Sequence, residues 1–291
     1  MLRRLRIRLV RGMVRLVARL RRAREEMMTV LFNEYFPVPA VIRCDLGDHV
    51  LNLNPADQTI TTRVLTEGHW NRPGLERALR VLEEAGALAP GKAFIDVGAN
   101  IGTQSLYAML SGKFGRAVAF EPEPGNLALL ERNVADNGLE GPVEVAQMAL
   151  GSRSGTATLL LHPTNLGAHS ITSGRVEEPA GQLPVPVETL DQAMADRGLA
   201  PSEVGLIWLD VEGAEADVVS GMTHLLSQGV PVVFEHIFRG APPADALGLF
   251  DTFAGHYTSV YRLQDEGLSV RPIESVDALK ERGDFLVFGA R

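Results

Sequence analysis

Residues 94–102 read FIDVGANIG, an apolar run that meets an acid, Asp96, and then two glycines four positions apart. The residues that follow, TQSLYAMLSGK at 103–113, have helical apolar spacing, with Thr103 and Ser105 available near the helix start. The same unit then recurs. RAVAFEPEP (116–124) reads as a strand and NLALLERNVADNG (126–138) as a helix, with Asn126 as its N-cap and Gly138 as its stop. VEVAQMAL (143–150) reads as the next strand. Strands alternating with helices in this way argue an α/β fold with a doubly wound, mostly parallel sheet.

Beyond that point come TATLLLHP (156–163), a turn-rich stretch TNLGAHSITSG (164–174) and a helix TLDQAMADRG (189–198). A strand VGLIWLDVEG (204–213), one helix over 214–229 and a strand PVVFEHIF (231–238) follow. The tail holds a helix at 243–254 and two β-like runs, YTSVYRL and DFLVFGA, expected to pair antiparallel. Upstream, residues 41–66 read as short strand pieces, VIRCDLG, HVLNLN and TITTRVL, and residues 74–88 as a helix ending near Gly91. No period of 20–50 residues recurs, which excludes a solenoid. The expected organisation is a basic amphipathic helix at 1–28, a β-rich and helical extension at 29–90, and a ligand-binding domain at 91–291.

Charge is distributed unevenly. Residues 1–26 hold ten Arg and two Glu, a net +8, whereas the whole chain of 291 residues is −8, so the remainder carries −16. An acidic body argues against nucleic acid as a partner. In the N-terminal segment Leu2, Leu5, Leu9, Met13, Leu16 and Leu20 form one helical stripe, and Arg4, Arg8, Arg11, Arg15, Arg19 and Arg22 another. The segment is too charged to span a bilayer and lacks the apolar stretch of a secretory signal. It suits either contact with an anionic membrane surface or acidic partner, or a solvated helix on the domain. A single cysteine, Cys44, excludes a disulfide framework and suits a reducing, cytoplasmic compartment, with membrane association through this helix as the variation.

Ligands of doubly wound sheets bind at the carboxyl ends of the strands. Here those ends carry Asp96 and Gly98, Glu121 and Pro122, Met148 and Ala149, Asp210 with Glu212, and Glu235 with His236. Gly98-Ala99-Asn100-Ile101-Gly102 gives the tight turn and close backbone approach that a nucleotide-type cofactor needs. It matches neither the G-x-G-x-x-G dinucleotide fingerprint nor the lysine-bearing phosphate loop. A carboxylate at Asp96 repels a pyrophosphate but pairs with an ammonium group. An acid at Glu121, 25 residues on, accepts hydrogen bonds from ribose hydroxyls. Ribose, a cationic amine and no phosphate describe S-adenosyl-L-methionine (SAM) better than NAD.

At these residues the chain resembles the FkbM-type family of SAM-dependent methyltransferases. The likeness runs through FIDVGANIGTQSLYAML, AFEPEPGNLALLERNVADNGL, ALGSRSGTATL, TNLGAHSI, VPVETLDQAM, IWLDVEGAEADVVSGM and VVFEH, in the family's order. It covers roughly 45–290. The resemblance implies a class I methyltransferase (Rossmann-like) fold with a seven-stranded sheet, and O-methylation of a hydroxyl on a sugar, glycan or other natural-product acceptor. It implies that Asp96, Gly98, Ala99, Asn100, Gly102 and Ser105 surround the methionyl part, with Glu121 and Pro122 at the ribose. Met148 and Ala149 would lie beside the adenine, and Asp210 near the methyl group. The chain departs from the family at two points: Trp208 stands where a Lys is frequent, and Asn71 follows Trp70 where a Glu is frequent.

Methyl transfer to a hydroxyl calls for alignment and a base. The candidates are Asp210, His236 and His169, with Asp210 favoured. Glu212 would border the acceptor and Glu215 would serve the helix that follows it. His162, Asn165, His169, Ser170 and Arg175 lie in the loop expected to meet a polar, hydroxylated acceptor. Asp210, Glu212 and Glu235 are hard oxygen donors of the kind Mg²⁺ takes, but no His/Cys metal spacing is present and no metal is expected. Two other readings are an NAD-linked oxidoreductase on a similar sheet and a non-catalytic docking protein that keeps SAM only as a structural ligand or not at all.

Overall fold

The computed structural model describes residues 41–236, 244–265, 267, 269–277 and 282–291, and for 244–247 the backbone only. The basic segment expected at 1–28 lies outside the described residues. Among the described residues no helix is long and apolar enough to cross a membrane.

The chain opens with a hairpin, β1 (Ile42–Asp45) and β2 (Val50–Leu53), and two helices, α1 (Ile60–Glu67) and α2 (Arg72–Glu84). The central alternation follows: β3 (Ala93–Val97), α3 (Thr103–Leu110), β4 (Arg116–Phe120), α4 (Pro124–Asp136) and β5 (Val143–Ala146). Next come β6 (Ala149–Leu150), β7 (Gly155–Leu161), β8 (Gly181–Glu188) and α5 (Leu190–Asp196). The last part holds β9 (Val204–Leu209), α6 (Glu215–Ser220), α7 (Thr223–Ser227), β10 (Val232–His236), α8 (Ala244–Ala254), β11 (Tyr257–Arg262), β12 (Arg271–Pro272) and β13 (Gly283–Ala290).

The main sheet has the order β12-β11-β13-β10-β9-β3-β4-β5. Its strands β3, β4, β5, β9 and β10 run parallel; β13 is antiparallel to β11, as the tail sequence predicts, and also to β10. The sheet holds the seven strands expected, and the two-residue β12 adds an eighth at the edge. From β3 the chain moves outward to β4 and β5 and then returns to β9 on the other side. The switch therefore lies between β3 and β9, where such sheets bind ligands.

Side chains alternate across this sheet and divide the core in two. Ile95, Val118, Ile207, Phe234 and Phe285 face the layer that includes Leu190, Val218, Leu225 and Phe253. Phe94, Trp208, Val233 and Leu286 face the layer of Leu106, Leu130, Leu75 and Leu51. The N-terminal extension thus shares its core with one face of the main sheet.

Four expected elements differ. TITTRVL is a helix, α1, because the Asp57 carboxylate accepts the Thr59 and Ile60 N–H groups at 2.8 and 3.0 Å and starts the turn. Asn126 is not the cap of α4; Glu123 caps it by accepting the Asn126 N–H. The run 143–150 splits, its first half joining the main sheet and Ala149–Leu150 pairing with β8 in a separate three-stranded sheet, β6-β8-β7. The helix at 214–229 breaks into α6 and α7 at Gly221, which lies so close to Gly151 that a Cβ would stand 2.1 Å from its carbonyl oxygen.

Candidate functional site

The parallel ends of β3 and β9 approach each other closely. Asp210 N–H donates to Val97 O at 3.0 Å, and a Cβ on Gly98 would lie 2.0 Å from Asp210 O. Gly98, with φ of 85°, therefore has no substitute: the backbone conformation and the space both exclude a side chain. Asn100 also adopts positive φ (50°) and donates its N–H to Glu121 Oε2 at 2.8 Å. Gly102 begins α3 against Leu130.

Two adjoining cavities open at this point. The first is lined by Gly98, Asn100, Glu121, Pro122, Met148, Ala149, His169 and Asp210, all expected from sequence. The second has Asp96, Gly98, Ala99, Asn100 and Asp210 in its wall, with Trp70, Gln104, Trp208, Glu212 and Glu235. Asn126, Leu166 and Gln104 also line the cavities, although nothing in the sequence pattern points to them as ligand residues. Asn126 reads in sequence as a helix cap, and its burial at 3% exposure carries no sequence mark.

Each acid has a distinct environment. Asp96 is 1% exposed and its Oδ2 accepts both Ser105 N–H (2.9 Å) and Ser105 Oγ–H (2.6 Å). Burial nonetheless pushes its carboxyl up to about 6. Ser105 itself is fully buried and lines neither cavity, so it orients Asp96 rather than meeting a ligand. Glu121 accepts Asn100 N–H on one oxygen and Glu123 N–H on the other, both at 2.8 Å. Burial raises it to about 7. Asp210 is raised well above the usual carboxylate range, by burial first and then by Glu235, Glu212, Asp284 and Glu215. Glu235 reaches about 8, by burial and then by Glu212, Asp284 and Glu215, with Arg175 pulling the other way.

Strand parity explains this gathering. Asp96, Trp208, Asp210, Glu235 and Asp284 occupy positions that share one face of the sheet. His236, one residue past Glu235, turns to the opposite face. It is 2% exposed, and its ring meets Phe250 at 4.7 Å and Phe285 at 6.2 Å. It lines neither cavity, so the structure does not bring it to Asp210.

The loop 162–175 roofs the first cavity. Leu166 O accepts Asn100 Nδ2 (3.0 Å) and Asn126 Nδ2 (2.9 Å), while Ser170 Oγ donates to Glu212 O at 2.8 Å. Arg175 completes the attachment, donating to Glu212 Oε2 at 2.8 Å and standing 3.7 Å from Glu235 Oε2. In the same loop His169 Nδ1 accepts His162 N–H at 2.9 Å, which leaves the ring proton on Nε2. Burial lowers its pKa, so the ring is neutral and offers a donor there rather than a free base. Glu215 serves the turn: its carboxylate accepts Gly213 N–H and Val211 N–H ahead of α6. Glu212 in that turn has φ of 52°, uncommon for a glutamate.

Asp210, Glu212 and Glu235 can each bring one oxygen within 4.8 Å of the others, a geometry that could take a cation. The Arg175 guanidinium already occupies part of that space.

Comparison with known proteins places this geometry. The chain is 27% identical over 180 residues to the 2-O-methyltransferase NoeI of Sinorhizobium fredii, covering 54% of this chain and 70% of that protein. It is 27% identical over 213 residues to the 31-O-demethyl-FK506 methyltransferase FkbM of Streptomyces tacrolimicus, covering 64% and 76%. It is 29% identical over 154 residues to the hexuronic acid methyltransferase AglP of Haloferax volcanii, covering 53% and 59%. The model of the methyltransferase FkbM domain matches residues 96–252, from the first acid of the cleft into α8. That span holds more than half of the chain, including the glycine turn, Glu121, the roofing loop and the DVEG turn, and the chain accordingly belongs to the FkbM methyltransferase family.

Proposed function

We propose that the protein is a SAM-dependent O-methyltransferase whose acceptor is a hydroxyl of a sugar, glycan or other natural product. The observation that carries this reading is the ring of Asp96, Glu121 and Asp210 around the Gly98 turn, at the switch of a parallel sheet. The names of two relatives, a 2-O- and a 31-O-methyltransferase, support transfer to oxygen.

The residues fit SAM. Glu121 accepts a backbone N–H on each oxygen and a further hydrogen bond from the Asn126 side chain, and the remaining lone-pair capacity of a carboxylate leaves it able to accept from a ribose hydroxyl. Met148, Ala149 and Leu159 give an apolar wall for a flat base. Asn100 Oδ1 is a buried acceptor with no hydrogen-bond partner among the described residues. Gly98 keeps the floor of the cleft clear of any Cβ. When bound, SAM supplies a methyl group carried on a sulfonium, already a good leaving group.

The protein adds orientation and a base. Alignment can supply up to about 7–11 kcal/mol of a barrier in favourable cases. Asp210 carries a carboxyl raised well above the usual carboxylate range by burial and its acidic neighbours, a stronger base for the hydroxyl proton as the oxygen–methyl bond forms and the methyl leaves the sulfonium sulfur. His169 presents Nε2–H and would hold an acceptor oxygen rather than deprotonate it.

Calorimetric titration with S-adenosylhomocysteine (SAH) tests the donor site. Glu121→Ala is expected to weaken binding by about tenfold or more, the loss of a charge-assisted hydrogen bond. Asp210→Asn should retain SAH affinity within a few-fold and lower methyl transfer by about 10²–10⁴-fold, read as a 14-dalton gain on the acceptor. Full turnover by Asp210→Asn at saturating SAM would remove Asp210 as the base.

A further inference from the structure

The second cavity differs in character from the first. Its wall contains Asp96, Asp210, Glu212 and Glu235, and it also contains Trp70 and Trp208, the two tryptophans of the whole chain. The indole face is the strongest aromatic partner for a cation, and the Arg63 guanidinium already lies over one face of Trp70, 5.2 Å from its centroid. Arg175 neutralises Glu212 at 2.8 Å but comes only within 3.7 Å of Glu235.

Glu235 stands in a position that the fold disfavours. The β10–β13 register sets it directly opposite Asp284, and like charges opposed across neighbouring strands destabilise a sheet. Asp284 is served by Gln264 Nε2 at 2.9 Å and by Asn71. A local rule broken beside a cleft marks a functional demand.

An independent feature points to a ligand with N–H groups. Gln104 is 7% exposed and belongs to this wall, yet its Oε1 has no hydrogen-bond partner among the described residues. Its Nε2 donates to Trp70 O at 3.4 Å, which fixes the oxygen as the end left over. A buried acceptor without a donor is destabilising unless a ligand supplies one.

We propose that the part of this cavity bounded by Glu235, Trp70 and Trp208, beside the Asp96 and Asp210 wall that the donor would meet, is the acceptor subsite and takes a hydroxylated amine in its protonated form, the ammonium group resting on Glu235 beside the two indoles and the hydroxyl turned toward Asp210. The inference rests on the methyl-transfer reading above and narrows its acceptor to a cation. SAM brings one net positive charge, its carboxylate cancelling one of two cations. Asp96 and Asp210 lie where the donor's amine and sulfonium would be met, so Glu235 remains for the acceptor. Anionic acceptors such as uronates are excluded by the same carboxylates.

Because both indoles line the cavity, intrinsic fluorescence of the full chain reads its occupancy directly. Protein saturated with SAH would be titrated at neutral pH with glucosamine, N-acetylglucosamine and glucuronate. Glucosamine is expected to bind about tenfold or more tighter than the other two. Glu235→Gln should reduce that preference to about threefold or less while SAH affinity stays unchanged. Equal affinity for the three sugars, no response to any of them with SAH bound, or a preference that survives in Glu235→Gln would each overturn the proposal. Failure of SAH itself to bind would instead fault the methyl-transfer reading, and the acceptor assignment would fall with it.

Discussion

At the scale of single residues, the site depends on atoms that are absent as much as on those present. Gly98 and Gly138 both hold positive φ, 85° and 67°, and Gly138 has open space where Gly98 faces the Asp210 carbonyl. Gly138→Ala should therefore cost about 1 kcal/mol from the backbone conformation alone. Gly98→Ala must in addition push β3 and β9 apart, and is expected to lower Tm further and to weaken SAH binding by more than about tenfold. Thermal melts and calorimetry on the two variants check this; equal SAH affinity in both would show that the close approach is irrelevant to the cleft. Much of this residue pattern is legible in the sequence, because a glycine set between a strand and a helix marks a turn that a side chain would obstruct. Asp96, Glu121, Met148, Ala149 and Asp210 can be placed by strand ends alone. Ser105 and His236 cannot: the first turns inward to Asp96, and the second faces away by strand parity. Alternation along PVVFEH separates Glu235 from His236 in principle, yet both faces of a buried strand are apolar, so the sequence does not say which face carries the cleft.

Among elements, the hairpin β1–β2 is held to α4 by asparagines rather than by strand pairing. Fully buried Asn133 accepts Asn52 N–H at 2.6 Å and donates to Ile101 O at 2.8 Å, tying the hairpin to the loop that begins α3. Asn137 repeats the device with Val50, donating to its carbonyl and accepting its N–H at 2.8 Å each. Asn133→Ala would leave a buried N–H and a buried carbonyl unpaired, each worth about 1–3 kcal/mol. Hydrogen exchange is expected to accelerate at Asn52 while β9 and β10 stay protected; unchanged protection at Asn52 would assign the docking to Leu51 and Leu53 instead. This joint is invisible in sequence, since two asparagines 81 residues apart look like ordinary solvated positions. The β8 strand escapes a sequence reading for a different reason: Pro184 and Pro186 argue against a strand. Both stand in the β7 ladder, opposite Thr158 and Thr156, and are tolerated because β6 pairs only with Val187 and Glu188, which leaves the other side of β8 open at the prolines. The central βαβ alternation is readable because each of its segments has one period and one boundary glycine.

For the molecule as a whole, the acidic end of the sheet sets how stability follows pH. Asp57, Asp96, Glu121 and Glu235 are pushed to about 6, 6, 7 and 8 by burial, and Asp210, Glu215 and Asp284 are raised as well. In the unfolded chain these groups titrate near 4, so between about pH 4 and 8 the native state holds more protons than the unfolded one. Their contribution is thus fully present at low pH and is lost as pH rises through the folded values. His69 and His169 act oppositely: burial lowers their pKa, and their contribution is lost as pH falls below about 6.5. The carboxylates outnumber these histidines, so without ligand Tm should be higher at pH 6 than at pH 8. Glu235→Gln removes one raised carboxyl and the charge opposite Asp284. It should stabilise the protein at pH 8 by about 1–2 kcal/mol, roughly 2–6 °C in Tm, and have little effect at pH 5. Melting curves for both proteins across this range decide the matter: parallel Tm profiles, or a maximum at pH 8 in the wild type, would mean that these acids are relieved by solvent. A convergence of the two profiles at low pH would mean instead that the charge on Glu235, buried opposite Asp284, costs the ligand-free fold stability.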